Sequence, residues 1–477
     1  MKLKNQFLSL SALLAMGMAT SAWGALCTGS VTNWDEDTRE LESDGQGGYY
    51  INMHSPSSTA CHAVRTTVKI PDGVKTFKVY DDGGVNGNFT SPGCGTWHCS
   101  YNIVIEAPEG YNIRVTGSLK SRPNTDGSTA GDFAYLLIQD KAANTLLKEY
   151  SGVESNVLAW VDHLANIRFY AADYQGTNQE GLDLTVHLLK KSETKSTTAI
   201  DVYDHGDASV YNVAKIKDGT YQGDDAVSIT NAIPVDAIEY DRVFTAGTAG
   251  TIVLPFQLPA GATTNAKFYY LKQVVQVQGE CKWKATMKWI GDGVVPSANT
   301  PYAVIVPSGS ELKFNLNGGE ASFQTATIAE QLDASKNWIF KGTYQYKTWG
   351  ADDAELGLAY AIASENGVGY KAGDFVKIGE GASAAPMRAY ISKANSGVTL
   401  QSLGRPLAMG EVSSIESLPE SIDVEFVDED EKPMAIGRLN TVTGAIKINR
   451  WVDLKGRSVN HKPTTKGAFF NKKGIAK

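Results

Sequence analysis

Strand-length runs of β-branched and aromatic residues, each closed by turn formers, constrain this chain more than any other feature. "TIVLPFQLPAG", "AKFYYLKQVVQV", "TPYAVIVPSG" and "WIFKGTYQYKTW" are such runs, and they recur along most of the 477 residues. Gly is abundant, 21 Tyr accompany the Val/Ile/Thr runs, and charged residues make up only 20%. The pattern predicts an all-β protein of several β-sandwich-like domains, with room for two to four of them. "ATIAEQLDASKN" is the one stretch that could pass for a helix, and no fixed-period repeat suggests a solenoid.

Residues 1–24 read as a signal peptide. Lys2 and Lys4 precede the apolar "FLSLSALLAMGMA", and "AWG" supplies small residues for a cut after Gly24. No later apolar run is long enough to span a bilayer, so the expected location is outside the cell or on its surface, with no transmembrane segment in the mature chain. The net charge of −8 argues against nucleic acid as a partner. In an oxidising compartment Cys27, Cys61, Cys94 and Cys99 allow three disulfide connectivities, of which the sequence-nearest, Cys27–Cys61 and Cys94–Cys99, is expected. Cys281 is expected to be a buried thiol.

The chain divides by composition. A strand segment at 25–73 is expected to pack on a sandwich at 74–190, and a charged, hydroxyl-rich linker follows at 191–198. A β-rich domain without assigned activity covers 199–410, and an acidic connector leads into a basic C-terminal module at 411–477.

Residues 74–189 resemble a CUB domain. "GNFTSPGCGTWHCSYNIVIEAPEGYNIRVTG", "DFAYLLIQDKAANTLLKEYSG" and "NIRFYAADYQGTNQEGLDLTV" follow in the order of that family's strands. Cys99 matches the family's second cysteine, but "DDGG" stands where the first usually lies and "EYSG" lacks the next one. The resemblance implies a jelly-roll-type sandwich of a bacterial kind. It also implies a calcium site using Asp132 and Asp173, with Asn124 or Asp126 replacing an absent Glu; oxygen ligands of this sort suit a hard cation. Asp140 is expected to be a turn residue.

The C-terminus is similar to the sorting tails of type IX secretion substrates. The elements are Asp453 to Arg457 with Gly456, Lys462–Pro463, Lys466–Gly467 before an aromatic pair, and the basic end with Lys472, Lys473 and Lys477. This implies a small β sorting module, delivery to the outer cell surface and the secretion machinery as a partner.

Catalytic motifs are missing: no Gly-x-Ser-x-Gly elbow, HExxH pair, P-loop or dinucleotide fingerprint occurs. Asp35, Glu36 and Asp37 read as a solvated turn, and His205 as a loop residue between Asp204 and Asp207. Trp97 and His98, between two cysteines, with Trp34, Tyr49 and Tyr50, are the candidates for stacking on a sugar. Trp283, Trp289, Trp338 and Trp349 are read mostly as core. The expected function is adhesion: non-catalytic recognition of a polysaccharide or a surface protein. The other readings are a hydrolase with its site in 199–410, or a purely structural surface component.

Overall fold

The computed structural model describes residues 34–53, 63–85, 99–120, 133–172, 181–206, 211–219, 221–223, 225–278, 282–394 and 418–433, together with short strands nearer the C-terminus. The described chain is all β, with no helix, and it divides into two compact units, Met1–Lys190 and Lys191–Lys477. No helix among the described residues is long and apolar enough to cross a membrane.

The N-terminal unit holds twelve strands: β1 (Trp34–Glu40), β2 (Glu42–Ser43), β3 (Tyr49–Asn52), β4 (Ala63–Lys69), β5 (Thr76–Tyr80), β6 (Cys99–Glu106), β7 (Asn112–Lys120), β8 (Phe133–Asp140), β9 (Thr145–Ser151), β10 (Val153–Val161), β11 (Leu164–Ala172) and β12 (Gly181–Lys191). One sheet runs β1-β4-β6-β11-β8-β9. In the other, β12 pairs β7 on one side and β5 on the other, β7 pairs β10, and β3 and β2 extend the β5 edge. The two sheets close on one apolar core. Tyr101, Ile103, Ile105, Leu136, Ile138, Ile167 and Phe169 come from the first, and Ile51, Phe77, Val79, Val115, Leu182, Leu184 and Val186 from the second. Alternation along each strand sends every second side chain inward, which is the geometry of a β-sandwich.

Two sequence readings change here. Asp35, Glu36 and Asp37 lie on β1, an edge strand parallel to β4, and not in a turn; Glu36 reaches across to Arg65 at 2.9 Å. Edge strands tolerate such acids because one side of the strand faces water. Ala326–Asn337 is not helical: it contains the short strand Gln331–Leu332 and a turn. The buried Asp333 carboxylate takes the N–H groups of Asn337 and Trp338 and the Ser335 hydroxyl, ending any helical ladder.

Among the described residues the C-terminal unit is built around a sheet of ten strands. In spatial order these are Ala249–Val253, Pro301–Ile305, Lys267–Gln276, Trp283–Trp289, Ser421–Val427, Phe375–Lys377, Ala359–Ile362, Arg388–Lys393, Trp338–Thr343 and Gln331–Leu332. Ser421–Val427, assigned above to an acidic connector, is thus an interior strand, parallel to Trp283–Trp289 and antiparallel to Phe375–Lys377. Its Ile422 and Phe426 are buried, whereas Asp423 points out, so its acids occupy one face only. Residues 192–199 are a folded turn: Ser192 N–H donates to Val202 O at 2.8 Å and Thr197 N–H to Ile200 O at 2.8 Å. Near the C-terminus Ser458–Val459, Trp451–Asp453, Phe469–Asn471 and Gly474–Ala476 pair in that order as a small sheet.

Asp81 locks the entry to β12. Its fully buried carboxylate accepts Leu182 N–H at 2.6 Å and Gly83 N–H at 2.8 Å. Gly181 has φ +70°, and a Cβ there would collide with this carboxylate. Burial pushes the acid up to about 6 from the ordinary 3.8, against the opposing pull of the two N–H groups. A raised folded-state pKa contributes stability below the unfolded value that is lost as pH rises through the folded one. Relative to Asp81→Asn, the wild-type protein should therefore lose up to about 3 kcal/mol between pH 4 and pH 7. Denaturant unfolding of both proteins across that range checks this; a constant difference would refute the shift.

Candidate ligand-binding face

The outward positions of the second sheet form cross-strand rows. Trp160 of β10 stands opposite Arg114 of β7, which pairs with His187 of β12 and then Thr76 of β5. The next row runs Leu158, Thr116, Thr185, Lys78 and Tyr50. A third continues Ser118, Asp183, Tyr80 and Asn52. Trp160 and Tyr50 are half-buried and lie four strand spacings apart, about 19 Å across the sheet.

Internal contacts order this face. Lys78 Nζ lies 2.7 Å from Asp183 Oδ1, both substantially exposed. Thr76 Oγ1 is 3.1 Å from His187 Nδ1. The Tyr50 hydroxyl donates to Glu42 Oε2 at 2.9 Å, which raises its pKa, and its ring lies 6.3 Å from that of Tyr80. The face thus combines aromatic rings, hydroxyls, the Lys78–Asp183 ion pair and the buried Arg114. Such a surface offers stacking and hydrogen bonding to a polyhydroxylated ligand.

Only part of the residue set expected from the sequence meets on this face. Tyr50 is on it; Tyr49, its neighbour in β3, points the other way and packs against the core. The trio is split further because Trp34 belongs to β1 in the other sheet. Trp97, His98, Cys27, Cys61, Cys94 and Cys281 lie outside the described residues, as do Asn124, Asp126, Asp132 and Asp173. Cys99 opens β6. The flanks of the last two aspartates are described: Phe133 and Ala172 are direct cross-strand partners. Asp140 holds a turn, accepting Ala143 N–H at 2.9 Å. Among the sorting residues Asp453 closes a described strand, whereas Gly456, Arg457, Lys462, Pro463, Lys466, Gly467, Lys472, Lys473 and Lys477 lie outside the described residues. Among the described residues no cluster of three His, Cys, Asp or Glu side chains is placed to hold a metal. His205 stacks on Tyr211 with centroids 5.3 Å apart.

Trp160, Lys78, Asp183 and His187 were missed from the sequence. The signal for the last three was the period-two alternation of "TFKVY" and "GLDLTVHLL", in which the polar members share one face, and for Trp160 the alternation of "VLAWV". Trp338 and Trp349 are buried, while Trp283 and Trp289 are half-buried with Lys393 and Lys267 over their rings.

In the C-terminal unit a compact polar cluster surrounds Glu355. Its carboxylate receives Lys341 Nζ at 3.0 Å, Lys347 Nζ at 2.7 Å and the Tyr390 hydroxyl at 2.8 Å. Burial opposes ionisation, but these three donors hold the carboxyl at about 2. A carboxylate saturated in this way is no proton donor near neutral pH. Removing its charge leaves Lys341 and Lys347 only their longer contacts to Glu330 at 3.7 Å and Asp353 at 3.6 Å, so Glu355→Gln should destabilise this unit by about 3 kcal/mol, read as a lower denaturant midpoint. An unchanged midpoint would show that the cluster is dispensable.

The sequence matches no known protein family and no curated protein. Among solved structures, the CUB1-EGF-CUB2 domain of human MASP-1/3 aligns over 53% of this chain and 100% of its own, at 14% identity and TM-score 0.20. The CUB1-EGF-CUB2 domains of rat MASP-1 align over 55% of this chain and 100% of their own, at 11% identity and TM-score 0.20.

Proposed function

We propose that this chain is a secreted, non-catalytic recognition protein of a bacterial cell surface, whose N-terminal CUB-like sandwich binds a polysaccharide across the outer face of its second sheet. The observation that carries the reading is the placement of Tyr50 and Trp160 on one face, with Lys78, Asp183, His187, Thr116 and Thr185 between them. Rigid aromatics bind sugar rings at small entropy cost, and the intervening hydroxyls supply the hydrogen bonds that orient them. The tail from Asp453 onward, on its resemblance, directs export by a type IX-like route. In affinity electrophoresis against a panel of soluble polysaccharides, Trp160→Ala and Tyr50→Ala should each weaken binding by about 1–3 kcal/mol. Val243→Ala, an exposed site of the C-terminal unit, should leave it unchanged. Retention unaffected by both aromatic substitutions would refute the face.

Calcium belongs to the same reading. Asp132 precedes Phe133 in the sequence and Asp173 follows Ala172, and Phe133 and Ala172 are cross-strand partners. The CUB resemblance pairs these two acids in one calcium site, and carboxylates that share a site repel unless a cation or protons neutralise them. Millimolar Ca²⁺ should raise the melting temperature of the whole protein, and Asp132→Ala or Asp173→Ala should abolish the rise. A melting curve indifferent to calcium would leave these acids as turn residues.

A further inference from the structure

Two further strands begin the C-terminal unit: β13 (Ile200–Asp204) and β14 (Asn212–Ile216), antiparallel, with Asp204 directly opposite Asn212. Both residues are buried. From the turn that precedes β13, Lys195 reaches over this pair. Its Nζ lies 2.8 Å from Asn212 Oδ1 and 2.9 Å from Asp204 Oδ2. The Asn212 amide is fixed from behind, Nδ2 donating to Pro234 O at 2.8 Å, and its backbone N–H donates to Asp236 Oδ2 at 2.7 Å. Asp204 is fixed as well, its Oδ1 accepting Gly206 N–H at 2.8 Å.

An amine, a carboxamide and a carboxylate held in contact are the three parts of an amide-exchange reaction. The geometry points to a self-formed covalent cross-link, an amide between Lys195 Nζ and Asn212 Cγ, with Asp204 as the proton carrier. Lys195 Nζ lies 2.8 Å from Oδ1, the oxygen bonded to Cγ, so amine and carboxamide are already held together, the condition that favours an intramolecular attack. Asp204 takes a proton from the ammonium, and the free amine attacks Cγ, sending the carbonyl electron pair to Oδ1. The protonated Asp204 gives its proton to Nδ2. The carbonyl re-forms as the Cγ–Nδ2 bond breaks, and ammonia leaves. It takes the surplus proton from Nζ and departs as ammonium, with Asp204 again a carboxylate. Lysine ammonium and asparagine become an amide and ammonium, so no oxidant, reductant or other reactant is required. The groups are 17 positions apart, and the link would close the turn and the β13–β14 hairpin into a ring.

Peptide mapping of the purified, folded full-length protein tests this. Trypsin should cut after Lys191 and Lys215 but not after the acylated Lys195, giving residues 192–215 lighter by one ammonia. Chymotryptic cleavage after Tyr203 should then leave two chains still joined. Lys195→Arg preserves the ion pair but should give no joined species, and Asp204→Ala should lose it while keeping both reacting groups. Quantitative cleavage after Lys195 in the wild-type protein would overturn the proposal and leave an ordinary ion pair. Full cross-linking in Asp204→Ala would overturn the role of the acid.

Discussion

Strand β12 is paired along both edges, to β7 and to β5, and the N-terminal unit depends on that two-sided register. Its inward residues Leu182, Leu184, Val186 and Leu188 are buried at the centre of the core. Its outward residues Asp183, Thr185 and His187 are the middle of the exposed face. A slip of one residue would exchange these sets, burying an acid and an imidazole while exposing four aliphatic side chains. Core and outer face are therefore specified by the same hydrogen bonds. Asp81 sets where that register begins, because the first free N–H of β12 ends in its carboxylate.

The two units use polar side chains differently. On the N-terminal sheet, hydroxyls and charges are turned outward and pair along the surface, as Lys78 does with Asp183. In the C-terminal unit several acids are drawn inward and saturated: Glu355 by two lysines and a tyrosine, Asp333 by backbone N–H groups and a serine, and the buried Asp201 by Lys191 at 2.8 Å and Lys217 at 3.0 Å. Saturated groups hold strands together but have no valence left for a visiting molecule. That contrast is why recognition is assigned to the first unit.

Strand content was legible in the sequence because β-branched and aromatic runs between turn formers have few other uses. Asp140 was legible as a turn residue, since a short acid at a strand end captures the next free N–H groups. Pairing was not legible. Tyr49 and Tyr50 are adjacent in sequence and face opposite sides, and whether Trp34 shares their sheet is decided by distant partners. Ser421–Val427 was hidden by its acids, which read as solvated until their confinement to one face was seen. The Lys195–Asp204–Asn212 meeting joins a turn to two strands, and neither composition nor spacing announces it.

The position of Ser421–Val427 also orders events in time. It is an interior strand of the large sheet, yet it is supplied by chain that follows every other member in sequence. Until it arrives, Trp283–Trp289 and Phe375–Lys377 each present an open row of backbone donors and acceptors. The C-terminal unit consequently cannot close progressively as the chain emerges from a ribosome or a translocon. It must wait for nearly its whole length, and then seat a parallel strand across a long sequence separation, a slow kind of contact to form. A chain of this topology remains threadable through a narrow pore for longer than one whose sheet grows by consecutive hairpins.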